Sequence, residues 1–186
     1  MGIQFTPVLG VGEFAKNFPH VSGSYYSHQV ATGRGTSALT QNVLRVGPFW
    51  VPSAGTYDRI GVEHTVLAGS STFRLGVYAD DGTGQPGALV LDAGTVDTST
   101  VASFQAITIS IALSAGLYWV GGVAQGGNPT MRAQAGMLQL FSYADPTSSP
   151  TITCYSRTSV TGALPNPFGS TATGSIGPAA VFLRRA

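Results

Sequence analysis

Apolar residues recur at every second position in several short stretches, which is the spacing of β-strands with one buried face. In the stretch FRLGVYA, Phe73, Leu75 and Val77 share one face. In FQAITISIAL, three isoleucines share one face, whereas Phe104 and Thr108 lie on the other. The three-to-four-residue spacing of a long amphipathic helix is absent from the sequence, and glycine or proline interrupts every extended stretch.

Clusters of glycine, proline, serine and aspartate separate these stretches and are typical of turns. The result is a series of about nine short strands, which predicts an all-β fold. We expect a jelly-roll-like antiparallel β-sandwich over residues 43–186. Strands are predicted near residues 43–51, 57–66, 72–79, 88–96, 103–113, 117–124, 135–143, 151–157 and 178–184.

Residues 1–42 show little alternation and much glycine, so they are predicted to form an extended N-terminal arm. We expect this arm to anchor the protein to a neighbouring subunit or platform, since a free arm would be disordered. The alternative, that it packs on its own domain, stays open.

Charged residues make up 9% of the 186 residues, although 43% are hydrophobic, an ordinary fraction. A surface with so few ions is easily buried against other proteins, which favours assembly. The net charge of +1 provides no field for nucleic acid. No stretch is apolar enough for membrane insertion, and we recognise no signal peptide at the N-terminus.

No catalytic motif is present, and we expect neither an enzyme nor a cofactor. His20, His28 and His64 lie on separate segments without the spacing of zinc ligands, so no metal site is assigned to them. His64 falls on a mostly apolar strand face and is predicted to be buried in the core or an interface. The single cysteine, Cys154, is predicted to be a small buried residue.

The segment DDGTGQPG at residues 80–87 has two interpretations. Asp80 and Asp81 could ligate a metal ion, but adjacent residues point to opposite sides and no closing glutamate follows. The stronger interpretation is a corner, in which Gly82 and Gly84 adopt positive φ and the aspartates bind their own backbone.

Aromatic residues and polar loops are the remaining candidates for binding. Tyr25 and Tyr26 lie in a polar, glycine-rich segment, where they could stack on sugars or contact another subunit. Phe73, Phe104 and Trp119 are predicted to be core residues. Three loops, 80–87, 125–130 and 161–175, are expected to face outward with the polar side chains Asp80, Asp81, Asn128 and Asn166.

Four stretches in order along the chain resemble β-sandwich domains of bacteriophage virion proteins. They are VGPFWVPSAGTYDRIGVEHT, LGVYADDGTGQPGALVLDAG, ALSAGLYWVGGVAQGG and the C-terminal GPAAVFLRRA, within residues 36–186. The second stretch matches the family pattern at Tyr78, Asp80, Gly84, Pro86, Gly87, Ala88 and Leu89.

The resemblance implies a structural protein on the virion surface, assembled in the host cytoplasm. The preferred expectation is a minor tail or fibre-type component that forms homo-oligomers, trimers among them, and presents loops to the host surface. Its partners would be other virion proteins, copies of itself and a host cell-surface glycan. Two alternatives are a capsid decoration protein that clamps shell subunits and a stand-alone carbohydrate-binding module. No catalytic residue follows from the resemblance.

Overall fold

The computed structural model describes residues 19–28, 31–137, 154–169, 172–174 and 177–186. These residues contain strands, turns and loops but no helix. The described part of the chain accordingly has no helix long and apolar enough to cross a membrane.

The strands are short and follow one another closely along the chain. Their bounds are β1 Tyr25–Tyr26, β2 Ala31–Ala38, β3 Leu44–Val51, β4 Gly55–Val66, β5 Thr72–Asp80, β6 Pro86–Asp97, β7 Phe104–Leu113, β8 Gly116–Gln125, β9 Thr130–Met137, β10 Cys154–Arg157, β11 Ala172–Gly174 and β12 Phe182–Arg185.

The strands form two antiparallel sheets that pack face to face. The first sheet has the order β1-β12-β4-β9-β2, with β7 paired to the other side of β4. The second has the order β11-β10-β3-β8-β5-β6. The predicted all-β sandwich is therefore confirmed. The strand predicted at 135–143 begins earlier, at Thr130, and residues 138–143 lie outside the described part.

The main core lies between the sheets and follows the alternation of the sequence. Phe73, Leu75 and Val77 of β5 face Ile60 and Val62 of β4, and all five are fully buried. Removing this much apolar surface from water is the principal stabilising contribution to such a fold.

A second apolar cluster covers the outer face of the second sheet. Segment 158–169 folds back over the strands and buries Leu164 and Phe168 against Tyr78 and Trp119. The Tyr78 hydroxyl donates to the Pro165 carbonyl at 3.1 Å. The expectation that loop 161–175 faces outward is thus wrong at Leu164 and Phe168, because apolar side chains in this loop are drawn onto the sheet.

The described part of the predicted arm belongs to the sandwich. Strand β1 pairs with β12, and β2 pairs with β9 over its length. Leu39, which follows β2, is 3% exposed within the main core. A domain boundary at residue 42 therefore does not hold for residues 19–28 and 31–42, which pack on their own domain. The arm predicted at residues 1–18 lies outside the described residues.

Candidate functional site: an exposed aromatic face

Three aromatic rings from distant parts of the chain meet on the outer surface of the first sheet. Tyr25 of β1 contacts Phe104 of β7 edge to face, with 5.4 Å between ring centroids. Phe104 contacts Phe182 of β12 in the same manner at 5.8 Å. Tyr25 and Phe104 are 40% and 43% exposed, although residues of this size are usually covered. We call these three residues the outer aromatic face.

Strand register brings the rings together around a glycine in β4. Gly61 lies between Phe182 of β12 on one side and Ala106 of β7 on the other. A β-carbon at Gly61 would lie 2.6 Å from the Phe104 ring, so the ring crosses the space that a side chain would fill. The absence of a side chain at Gly61 therefore gives the Phe104 ring room to lie over β4.

Two arginine–carboxylate pairs flank the rings along β4. Arg184 donates two hydrogen bonds to Asp58, at 2.8 and 2.5 Å. Arg132 donates two to Glu63, at 3.1 and 2.9 Å. These bonds hold the pKa of Asp58 and of Glu63 below the usual carboxyl range, so both pairs remain ionised at neutral pH.

Arginine side chains also lie over the rings themselves. The guanidinium carbon of Arg34 is 4.8 Å from the Phe182 centroid, and that of Arg184 is 5.9 Å from the Tyr25 centroid. Such cation–π contacts hold the arginines close to the apolar surface. The outer aromatic face is therefore apolar in the middle and charged at its rim, as interaction surfaces commonly are.

The sequence interpretation located one of the three rings as a binding residue. The sequence predicts Tyr25 as a binding residue, and its prediction of Phe104 as a core residue is wrong because β7 turns its isoleucines inward. The alternation of FQAITISIAL already placed Phe104 beside Thr108 and opposite those isoleucines. This alternation is the signal in the sequence for an exposed ring, although phenylalanine is in general more often found in cores.

Tyr26, the second predicted binding residue, points to the opposite side of β1. Its ring stacks on His20 at 3.7 Å and packs against the main core. Its hydroxyl accepts a hydrogen bond from the Val21 amide at 2.7 Å. Tyr26 therefore anchors the described N-terminal residues and does not join the outer aromatic face.

Asp80 and Asp81 organise the corner at residues 80–87. Asp81 accepts hydrogen bonds from the Thr83 hydroxyl and amide at 2.7 and 2.8 Å, and these lower the pKa of its carboxyl. Asp80 accepts from the Gly82 amide at 2.9 Å and from the Trp119 indole at 3.0 Å. Gly82 has φ of +92°, as the turn interpretation expected. Both carboxylates are thus used to shape the loop.

The two predicted asparagines also bind backbone groups. Asn166 accepts from the Leu89 amide at 3.1 Å, which brings it to the same corner of the second sheet as the 80–87 loop. Asn128 accepts from the Gln41 amide at 2.7 Å and closes the loop before β9. The structure therefore groups Asp80, Asp81 and Asn166, and it separates them from Tyr25.

Two histidines are held in polar environments, and the third is not. His20 lies 2.6 Å from the Tyr57 hydroxyl, and burial together with the nearby charge of Arg185 lowers its pKa to about 4. Burial also lowers the pKa of His28 to about 4. His64 is 1% exposed, as predicted, and Cys154 is buried as well. The described residues contain no group of three or more histidine, cysteine, aspartate or glutamate side chains arranged to hold a metal ion.

No family model, curated protein or solved structure matches this chain. The indications of function therefore come from the chemistry of the outer aromatic face. An exposed ring cluster with ionised pairs at its rim can bind another surface by apolar burial and by exchanging hydrogen bonds at the edge.

Proposed function

We propose that this protein is a structural component of the bacteriophage particle surface, of minor tail or fibre type, and that it assembles with copies of itself. The observation that carries the proposal is the outer aromatic face on a chain with 9% charged residues. Aromatic and arginine residues dominate the binding energy of protein interfaces, and this face holds both, with the charges kept at its rim.

A second copy of this chain is the occupant that the charge pattern favours. The rings lie between the Asp58–Arg184 pair and the Glu63–Arg132 pair, so each end of the face carries one cation and one anion. Two copies related by a twofold axis would bring the arginine of one end near a carboxylate of the other copy, with rings against rings. This arrangement is self-complementary and supports homo-oligomer formation.

The geometry of the rings favours protein contact over sugar stacking. Neighbouring rings meet at 82° and 77°, so they do not form one flat platform on which a pyranose ring could lie. Apolar side chains of a second protein can fill the angled spaces between such rings. The carbohydrate-binding module is therefore the weaker alternative, whereas the capsid decoration protein shares the same surface chemistry.

Assembly is tested by light scattering after size-exclusion chromatography. We expect the mass of the wild type to be two or more times the 19.1 kDa of the single chain. A double variant, Tyr25→Ser with Phe104→Ser, should shift to the single-chain mass because it removes the exposed rings. The matched control is Val90→Ser with Leu67→Ser, which removes two apolar residues that are 39% and 41% exposed elsewhere. A monomeric wild type, or equal dissociation of both variants, would contradict assembly through this face.

The place in the particle is tested on purified virions with a gold-labelled antibody against the chain. Label on the tail or its fibres supports the preferred proposal, and label over the shell supports the decoration alternative. If the protein is absent from particles and a monomer binds sugars on a glycan array, the virion proposal is wrong and the carbohydrate-binding module takes its place.

A further inference from the structure

Arg45 carries its charge into the interior of the sandwich. It shares the inward face of β3 with Phe49 and Val51, which belong to the main core, and it is only 6% exposed. Its register neighbours are Gly122 of β8 and Ser156 of β10. The space over Gly122 is filled by the Phe73 ring, which a β-carbon at that position would approach to 2.5 Å.

The guanidinium lacks the partners that a buried cation requires. Nη2 donates to the Thr40 hydroxyl at 3.4 Å, which is long for such a bond. Nη1 is fully buried and has no hydrogen-bond partner among the described residues. A buried charge without hydrogen bonds and without a counter-ion strongly destabilises a fold.

The carboxylates of the described residues are all engaged elsewhere. Asp58, Glu63 and Asp92 pair with Arg184, Arg132 and Arg74. The other three bind their own loops or a neighbouring indole, and they are Asp80, Asp81 and Asp97. The sequence holds eight acidic residues, and the remaining two, Glu13 and Asp145, lie outside the described residues. The described part of the protein therefore supplies no carboxylate for Arg45.

We propose that Arg45 is the centre of an oxyanion-binding site between the two sheets, which takes a carboxylate or phosphate group. A guanidinium presents parallel N–H groups that match both anions, and Nη1 is the donor left for one. The Thr40 hydroxyl next to Nη2 provides a further polar contact. Burial lowers the pKa of Arg45, and a bound anion offsets that effect. The inference is independent of the proposed assembly.

Thermal unfolding of the full chain near neutral pH tests this site. The wild type, Arg45→Met and Arg74→Met are compared in increasing sodium phosphate, and separately in sodium acetate, with ionic strength held constant. Arg74 is the control because its guanidinium is already paired with Asp92, so its variant reports only general ionic effects.

We expect the midpoint of the wild type and of Arg74→Met to rise by roughly 5–10 °C when the anion is about 100-fold above its dissociation constant. Arg45→Met should lose this rise. An equal rise in all three proteins would overturn the proposal, and so would a wild type that responds to neither anion. If the wild type responds to neither anion, a lower midpoint for Glu13→Gln or Asp145→Asn would show that a carboxylate of the chain itself is the counter-ion of Arg45.

A second variant keeps the site testable if Arg45→Met does not fold. Thr40→Val removes only the hydroxyl beside Nη2, and we expect it to weaken phosphate binding several-fold, as measured by ³¹P line broadening. The proposal is overturned if Thr40→Val binds phosphate as strongly as the wild type and Arg45→Lys shows a normal midpoint shift. Those two results together would place the anion elsewhere.

Discussion

Two buried histidines show how differently the same side chain can be accommodated. His28 is 4% exposed, and its Nε2 donates to the Val120 carbonyl at 3.0 Å while Nδ1 accepts from the Gln134 amide at 3.1 Å. Those partners require the neutral form, since a carbonyl can only accept and an amide N–H can only donate. His64 is 1% exposed, and neither ring nitrogen has a partner among the described residues. Only the first histidine is matched to its surroundings.

The same substitution at these positions should change stability in opposite directions. His64→Leu removes unpaired polar atoms and keeps a similar volume, so we expect the free energy of unfolding to rise by about 1–2 kcal/mol. His28→Leu removes the imidazole donor of the Val120 carbonyl and one of the two hydrogen bonds of the Gln134 amide, which also donates to Ser27, and should lower the free energy of unfolding by about 2–3 kcal/mol. Urea denaturation at neutral pH measures both. A fall for His64→Leu as large as that for His28→Leu would show that His64 has a stabilising partner.

At the level of elements, period-two alternation identified the strands that build the sandwich centre. Strands β3 to β8 lie within a few residues of their predicted bounds, because each buries one face between the sheets. Strand β2, with the sequence ATGRGTSA, has no such alternation and is held mainly by backbone pairing to β9. The loop containing Leu164 and Phe168 has the composition of a turn region, so its role as a cover was not predictable from local sequence.

The covering segment should contribute to global stability through Phe168. This ring is fully buried and meets Tyr78 edge to face at 5.1 Å, and its amide donates to the Gly87 carbonyl at 2.9 Å. We expect Phe168→Ala to lower the free energy of unfolding by about 3–5 kcal/mol, because it leaves a cavity over the second sheet. Chemical denaturation followed by tryptophan fluorescence is the measurement, since Trp119 lies in the same cluster.

The control for this prediction is Val90→Ala on β6, which is 39% exposed and should change stability by less than about 0.5 kcal/mol. If Phe168→Ala is as mild as the control, the segment adds nothing to the stability of the sandwich and lies on it only loosely.

At the level of the whole molecule, the outer aromatic face depends on long-range register. Its rings come from residues 25, 104 and 182, on strands that are adjacent only because β12 and β7 pair with opposite sides of β4. The sequence could indicate which residues alternate outward within one strand, but not which strands are neighbours. The Asp80–Asp81 corner was predictable because it is local, with hydrogen bonds that span two residues.

Acid should weaken the junction between the two sheets. Residue His28 joins Val120 of the second sheet to Gln134 of the first, and its pKa is lowered from 6.5 to about 4 in the folded protein. Between pH 6.5 and about 4, His28 is protonated in the unfolded chain but neutral in the folded protein. The contribution of neutral His28 to the free energy of unfolding is therefore complete above pH 6.5 and is lost as the pH falls toward 4. The loss in the free energy of unfolding from this residue amounts to about 3 kcal/mol.

His20 acts in the same direction, because its pKa is also lowered in the folded protein. The carboxylates of Asp58 and Glu63, whose pKa values are lowered as well, lose their pairing with arginine only at still lower pH.

The measurement is the free energy of unfolding in urea at several pH values between 7.5 and 4.5 for the wild type and His28→Gln, which cannot titrate. Within the window set by the two pKa values of His28, the slope of the wild type should exceed that of the variant by up to about 1.4 kcal/mol per pH unit, which corresponds to one proton. His20→Gln provides the comparison for a half-buried histidine that does not join the sheets. Parallel curves for the wild type and His28→Gln would mean that His28 accepts its proton in the folded state, and the inter-sheet junction would then be insensitive to acid.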